Sequence, residues 1–339
     1  NTQAVITSLN FRQAPRQTLF LPLHYSFGIL GQILPALQLG IETRLYASFN
    51  EAVAEIPRLG LAGMWSGVPS HWQTLLKFLE MQKNRQELTS SATHIVSAGA
   101  PLPLSLREQL MQNFANATIF NNYGLTECSP RVLSYNSKHP LFLQNYVGFP
   151  VGDFQVKISE QGELLLKGSQ VMLGYLEESA KTTPGTAKIH EGWFYTGDLA
   201  EIHEAASNEG ETLAIASQDK AHSHTSDKNP KNNLCPLIKI LGRADDLIKI
   251  AGERFSKIEI EQVIKVQAGI EDAVVLTKEH PIYGQVLIAA IVLKENQTFD
   301  RSELITNLAK QISPQKIPKE FQLLSSLPRL TNGKLDRSR

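Results

Sequence analysis

Between Thr18 and Tyr123 the chain switches repeatedly between short apolar runs and longer amphipathic ones, and this alternation constrains its fold more than any other feature. "TLFLPL" (18–23), "ETRLY", "AGMWSGV" (62–68), "THIVSAGA" and "ATIFNNY" read as strands. "GILGQILPALQLG" (28–40), "SHWQTLLKFLEMQ" and "PLSLREQLMQNF" read as helices. The first is stopped by Gly40, the second opens at Pro69, and the third carries Pro103 in its first turn. Strand–helix–strand repetition predicts a parallel sheet with helices on its faces.

The texture changes near residue 147. "VGFPVGDFQVKI", "GELLLKG" and "WFYTGDLAEI" are short strands between Gly and Asp turns, which predicts a β-rich subdomain. Residues 203–236 are mostly polar and read as an exposed insertion. His222, His224 and Cys235 within it have no closed zinc-site spacing and read as solvated loop residues. Beyond 247, "KIEIEQVIKVQ" and "DRSELITNLAKQI" are helical, the second with Asp300 near its N-cap. "DAVVLTK", "QVLIAAIVLK" and "EFQLLSSL" are strands, giving a small α+β unit. The expected class is α/β: 1–146 the parallel-sheet part of a large domain, 147–241 its β-rich subdomain, 242–246 a hinge, and 247–339 the small C-terminal domain.

A chain of 339 residues fits two domains, and its 42% hydrophobic and 19% charged content suits a sizeable core. Lys+Arg and Asp+Glu both number 33, and this balance gives no support to a nucleic-acid or anionic-membrane partner. Two cysteines without CxxC spacing fit a reducing, cytoplasmic setting. No apolar run approaches the roughly 20 residues of a membrane span. The sequons at Asn116 and Asn296 then read as chance.

Four stretches carry chemistry-bearing side chains. "NNYGLTECSPR" (121–131) follows a strand, where open α/β sheets bind ligands. Tyr123 offers a flat face to a purine, Gly124 a turn closed to other residues, and Asn121 or Asn122 a partner for a base edge. Thr126 suits a phosphate oxygen and Glu127 a Mg²⁺ ion. A capped turn opening a helix explains the same residues equally well. "FYTGDLAEI" sets Asp198 in a turn suited to both hydroxyls of a ribose. "GRADDLIKIAGERFSKIEIE" (242–261) and "LTNGKLDR" (330–337) add Arg243 and Lys334. Each alone is ordinary; their order is not.

In that order the motifs resemble those of the adenylate-forming superfamily: acyl- and aryl-CoA synthetases, adenylation domains of nonribosomal peptide synthetases, and firefly-type luciferases. "SAGAPLP" (97–103) is similar to that family's adenine-bearing loop and "FLPLHYSFG" (20–28) to the start of its acid pocket. The resemblance implies that Gly99, Ala100 and Pro101 line one face of adenine and Tyr123 the other, with Asn122 at its edge and Gly124 in the turn. It places Thr126 on the α-phosphate, Glu127 on Mg²⁺, and Asp198 and Arg243 on the ribose. Lys334 would bridge acid and α-phosphate, Asp245 would be the hinge and Gly252 would line the thiol tunnel. Tyr25, Phe27, Trp65, Gly99 and Ser129 are candidates for the acid pocket, and His24 stands one residue before the position where many members carry histidine.

The implied reaction joins a small carboxylic acid to CoA through an acyl-adenylate, using ATP and Mg²⁺ and releasing AMP. The ending "NGKLDR" also resembles members that load a carrier-protein phosphopantetheine, which is the alternative acceptor. A non-catalytic nucleotide-binding remnant is the alternative of another class. The family's Ser/Thr/Gly-rich phosphate loop has no counterpart here, as neither GxxxxGK[ST] nor an STG-rich run occurs. Binding of AMP or acyl-AMP is therefore expected to exceed turnover of ATP.

Overall fold

The computed structural model describes residues 1–175, 189–206, 234–244, 247–250, 253–280 and 284–328. Seven strands form the first sheet: β1 (Arg16–Leu19), β2 (Glu42–Leu45), β3 (Gly63–Gly67), β4 (Ala92–Ser97), β5 (Thr118–Tyr123), β6 (Leu133–Asn136) and β7 (Phe149–Pro150). Their order is β2-β1-β3-β4-β5-β6-β7. β1 to β5 run parallel, and β6 and β7 continue the sheet antiparallel. The parallel part follows from the alternation, because crossover helices return each strand in the same direction. The expected strand at 18–23 instead covers Arg16–Leu19, since Pro22 has no N–H for a ladder.

Side-chain parity assigns the two faces. Trp65, Ile95 and Ile119 stand in register and share a core with Trp72, Leu75, Leu76 and Leu79 of the helix Pro69–Glu80. Those helical positions recur at three and four residues, as a buried stripe requires. Leu75 is fully buried, so truncation to alanine would cost about 2–5 kcal/mol. On the opposite face Met64, Val96 and Phe120 meet Val5 and Ile6 of the helix Thr2–Ser8, together with Ala36. Ala36 belongs to a composite helix: Ser26–Gly28, a π-helical segment Ile29–Ile33, then Leu34–Leu39. Gly40 ends it in the left-handed conformation, with φ at 68°. Pro103 is the N-cap residue of the helix Leu104–Asn113 rather than a member of its first turn.

The second sheet contains β8 (Gln155–Ile158), β9 (Glu163–Lys167), β10 (Ile189–His190), β11 (Trp193–Ala206) and β12 (Leu234–Arg243). Here one expectation is corrected. Residues 203–206 and 234–236 are not part of a polar insertion, because they extend the antiparallel β11–β12 ladder from His203↔Leu237 to Ala206↔Leu234. Cys235 is 6% exposed and packs into the first sheet's core with Leu237. "HEAA" carries little apolar signal of its own, so backbone pairing and the burial of its partner strand decide its conformation. Residues 207–233, including His222 and His224, lie outside the described residues.

β13 (Leu247–Ile250) and β14 (Glu253–Ser256) form a hairpin. β15 (Ile270–His280), β16 (Gly284–Leu293) and β17 (Glu320–Leu323) form a three-stranded sheet. The helices Lys257–Lys265 and Arg301–Ala309 share its core through Ile260, Ile264, Leu304 and Leu308. Asp300 caps the second of these helices by accepting from the backbone N–H groups of Ser302 and Glu303. Among the described residues no helix is long and apolar enough to cross a membrane.

Candidate active site

The C-terminal ends of β3, β4 and β5 lie side by side, with Gly67, Ser97 and Asn121 in register. The loop after β4 is tied to β3 by Ala98 N–H donating to Gly67 O at 3.2 Å. Gly99 holds φ at 83°, a conformation open chiefly to glycine. Gly99 and Pro101 are exposed and Ala100 is half-buried, so this loop presents backbone rather than side chains at the strand ends. On β5, Asn121 donates to Tyr146 O at 3.2 Å. Asn122 is 4% exposed; its amide N–H donates to Ser97 O at 3.3 Å and its Oδ1 has no partner among the described residues. An unsatisfied buried acceptor beside the loop suits a ligand that donates, such as an exocyclic amine.

Tyr123 ends β5 and reaches the second sheet. Its hydroxyl donates to Asp198 Oδ2 at 2.5 Å. Burial, and then the Asp198 charge, hold the phenol well above its ordinary range. Asp198 stands opposite Arg243 in the β11–β12 ladder, with Arg243 Nη1 3.3 Å from Asp198 Oδ1. The turn is fixed underneath: Thr196 Oγ1 accepts from Asp198 N–H at 3.0 Å and donates to Leu164 O at 2.8 Å. Gly197 has φ at 75°, and a Cβ there would sit 2.9 Å from Arg243 Nη2. The two-stranded pairing thus delivers Asp198 and Arg243 together to the end of β5.

Residues 124–131 form a tight loop. Gly124 is required for a reason other than the expected turn conformation: a Cβ there would lie 1.5 Å from Pro130 O, so the chain returns on itself at backbone contact. Thr126–Cys128 is a single 3₁₀ turn rather than the start of a longer helix, and Ser129 closes it in the left-handed region with φ at 56°. Ser129 Oγ donates to Gln170 O at 3.2 Å. Glu127 Oε1 accepts from the Tyr175 hydroxyl at 2.7 Å, and burial followed by the Glu127 charge pushes that phenol up to about 12. The Cys128 thiol is buried and likewise pushed up to about 12, first by burial and then by Glu127.

The loop "FLPLHYSFG" packs onto this one. Ser26 Oγ and Thr126 Oγ1 are 2.9 Å apart, and the Arg131 guanidinium lies 5.2 Å from the Phe27 ring centre. Tyr25 is 36% exposed and its ring lies 4.3 Å from that of His24, tilted by 41°. Trp65 is buried beside Phe20 and belongs to the cluster against which Phe27 also packs. Lys334, Asp245 and Gly252 lie outside the described residues. Ser26, Tyr175 and Arg131 were not singled out from sequence. Each contacts a partner 48 to 104 positions away, as in the pairs Tyr175–Glu127, Ser26–Thr126 and Arg131–Phe27, and no local pattern encodes such contacts.

A family model described as "AMP-binding enzyme" matches residues 1–176, and one described as "AMP-binding enzyme C-terminal domain" matches 259–334. The chain belongs to the AMP-binding enzyme family. Among curated relatives, the 2-succinylbenzoate–CoA ligase of Staphylococcus aureus (strain MW2) is 28% identical over 338 residues, covering 98% of this chain and 60% of the relative. The 2-succinylbenzoate–CoA ligase of Listeria monocytogenes is 27% identical over 301 residues, covering 88% and 56%. The chain therefore spans about 60% of the length of the curated relatives it matches. Among solved structures, o-succinylbenzoate CoA synthetase from Bacillus subtilis, in complex with the acyl-adenylate intermediate OSB-AMP, superposes with a TM-score of 0.73. It is 23% identical and covers 100% of this chain and 63% of that one. ATP-bound MatB from Rhodopseudomonas palustris gives a TM-score of 0.76 at 20% identity, covering 100% and 62%. These likenesses establish the adenylate-forming fold for this member of the family.

Proposed function

We propose that the chain is an AMP-forming acid–CoA ligase. The observation that carries this reading is the Tyr123–Asp198–Arg243 set, hydrogen-bonded at the strand ends beside the Gly99–Pro101 loop. A purine fits between that loop and the Tyr123 ring, with its amine on Asn122. Asp198 accepts from the ribose hydroxyls, and Arg243 neutralises Asp198 and faces the phosphate. Thr126 donates to the α-phosphate. Among the described residues no group of three or more His, Cys, Asp or Glu side chains gathers to hold a metal. Glu127 alone fits Mg²⁺, which usually takes one or two carboxylates and completes its shell with phosphate oxygens and water. The ion supplies charge neutralisation where a carboxylate approaches a phosphate.

Two anions must meet in the first half-reaction. Lys334 is proposed to bridge them, and a positioned cation of this kind typically contributes on the order of 10²–10³ in rate. The small domain, 247–339, is proposed to turn about Asp245 within 242–246, relative to the large domain of 1–146 and 147–241. That motion withdraws Lys334 and brings Gly252 to the thiol. CoA is the proposed acceptor because the curated relatives are named CoA ligases; a carrier-protein phosphopantetheine is the competing acceptor to be assayed beside it. A cytoplasmic location accords with Cys128 and Cys235 both being free thiols.

The test is calorimetric titration with AMP, followed by acid-dependent ATP–pyrophosphate exchange. AMP should bind, and Asp198→Ala should weaken it by roughly 1.5–3 kcal/mol. Absence of AMP binding would refute the reading.

A further inference from the structure

Two arginines of this chain are almost completely buried, each 2% exposed, and they differ in one respect. Arg107 spends its donors on the protein. Its Nε donates to Leu102 O, its Nη1 to Phe142 O at 2.7 Å and Gln144 O at 2.8 Å, and its Nη2 to Tyr146 O at 3.0 Å. Arg107 therefore pins the 141–146 segment to the helix Leu104–Asn113. Arg131 has no such partners: its Nε and Nη2 are buried and make no hydrogen bond to any described residue. Burial alone lowers its guanidinium to about 9, and no carboxylate among the described residues offsets it.

A buried guanidinium without a counter-charge is strongly unfavourable and calls for an anion or for several acceptors. The surroundings of Arg131 supply an aromatic face and backbone instead. Phe27 lies under the guanidinium. A Cβ on Gly31 would lie 3.5 Å from Nη2, an ordinary contact distance, so the backbone at Gly31 packs beside that nitrogen. Gly31 belongs to the π-helical segment Ile29–Ile33, a geometry that recurs at ligand sites.

Further buried polar atoms without partners among the described residues line both faces of the first sheet, Trp65 Nε1 and Ser97 Oγ on the face of Ile95 and others on the opposite one. Ser66, Val96 and Phe120 stand in register, and Asn122 and Ser134 lie two residues further along on that face. Asn122 Oδ1 is the acceptor already given to the purine amine; Ser66 Oγ and Ser134 Oγ are likewise buried without partners among the described residues, as are both side-chain polar atoms of Gln32, next to Gly31. A closed protein core tolerates few such atoms, and a site built for a polar ligand collects them.

We propose that Arg131 receives a second carboxylate on the acid that this enzyme activates, so that its substrate is a dicarboxylic acid. The inference rests on the adenylation reading above. The reacting carboxylate goes toward Thr126 and the distant one to the guanidinium fork, which matches a carboxylate in two parallel hydrogen bonds. Arg131 then selects the acid and does not take part in bond formation.

The test compares the wild-type chain with Arg131→Met and Arg131→Lys. The probes are straight-chain diacids of three to eight carbons, the three benzenedicarboxylates, their monomethyl esters, and pyrophosphate. Melting temperature is read with and without AMP, and kcat/KM is read by acid-dependent pyrophosphate exchange. At least one diacid should raise the wild-type melting temperature while its monomethyl ester does not. Arg131→Met should abolish that rise and lower kcat/KM for the diacid on the order of 100-fold, while changing the half-ester by less than about threefold. Arg131→Lys should fall between the two, because it keeps the charge and loses the fork. Without ligand, Arg131→Met should melt no lower than wild type, since it removes an unpaired buried charge. A lower ligand-free melting temperature would show that a carboxylate of the protein pairs with Arg131, and would overturn the proposal. So would a diacid effect that survives in Arg131→Met, a panel in which no diacid acts, or protection by pyrophosphate alone. Loss of AMP binding, in contrast, would strike the adenylation reading, and the ligand-free melting comparison would still report on Arg131.

Discussion

Replacing Tyr123 by phenylalanine removes one oxygen and isolates the contact that joins the two sheets. That oxygen donates to Asp198 at 2.5 Å, and Asp198 is 6% exposed, so little water is available to replace it. A hydrogen bond to a buried charge contributes about 1.5–3 kcal/mol, and Tyr123→Phe should cost that much stability. Arg243 is 37% exposed and pairs with Asp198 at 3.3 Å, so solvent screens that partner and it compensates only in part. Asp198→Ala should cost more, about 3–5 kcal/mol, because it strands both partners. The double variant should lose less than the sum, with a coupling of about 1–2 kcal/mol measured by urea unfolding. A pH dependence follows too. The folded-state pKa of Tyr123 is raised, so the folded chain keeps a proton that the unfolded chain releases above about 10. Stability should therefore be intact below that pH and fall as pH rises past it, and Tyr123→Phe should flatten the fall. Additive single costs, with a coupling below about 0.3 kcal/mol, would show that the contact does no structural work and that Asp198 is placed by its turn alone.

Three further outcomes follow from the structure. Gly124→Ala must separate two backbone segments that its Cβ would otherwise approach to 1.5 Å, so it should cost upwards of about 3 kcal/mol and abolish AMP binding in calorimetry. His94 is buried and stacked on Phe120, and burial lowers its pKa to about 4. Its neutral form is preferred in the folded state, so its contribution is complete above about pH 6.5 and declines toward pH 4; near pH 5 the loss should be about 2 kcal/mol, and His94→Gln should reduce that acid sensitivity in unfolding titrations. Replacing 207–233 by a short Gly/Ser link should leave the melting temperature nearly unchanged because its composition is polar, whereas removing 203–236 should lower it by several degrees through loss of the Cys235 burial.

The parallel sheet was legible because crossover topology writes itself into alternating texture, and Gly40, Pro69 and Asp300 marked helix ends through backbone chemistry that acts locally. The four motifs were legible because each is contiguous. What escaped was set by distance along the chain. β6 (Leu133–Asn136) alternates as Leu-Ser-Tyr-Asn over only four residues, too short a pattern to stand out, and all four are buried. The ladder at 203–206 is polar because its apolar partner lies beyond position 233. Gly124 looked like a turn residue, yet its constraint is the approach of Pro130, which only the closed loop discloses. Arg131 stood within the quoted motif, but that its buried Nε and Nη2 find no partner among the described residues is a property of the packed site, not of its neighbours in sequence.

The central claim is that Asp198 and Arg243 form a ribose site at the end of β5, and the most direct measurement removes the hydroxyls from the ligand instead of the carboxylate from the protein. Calorimetry should compare AMP with 2′,3′-dideoxy-AMP on the wild-type chain and on Asp198→Ala. The account predicts that wild type prefers AMP by roughly 10-fold or more, as expected for hydrogen bonds to a charged acceptor, and that Asp198→Ala binds both ligands equally weakly. Equal affinity of the wild-type chain for the two nucleotides would contradict it.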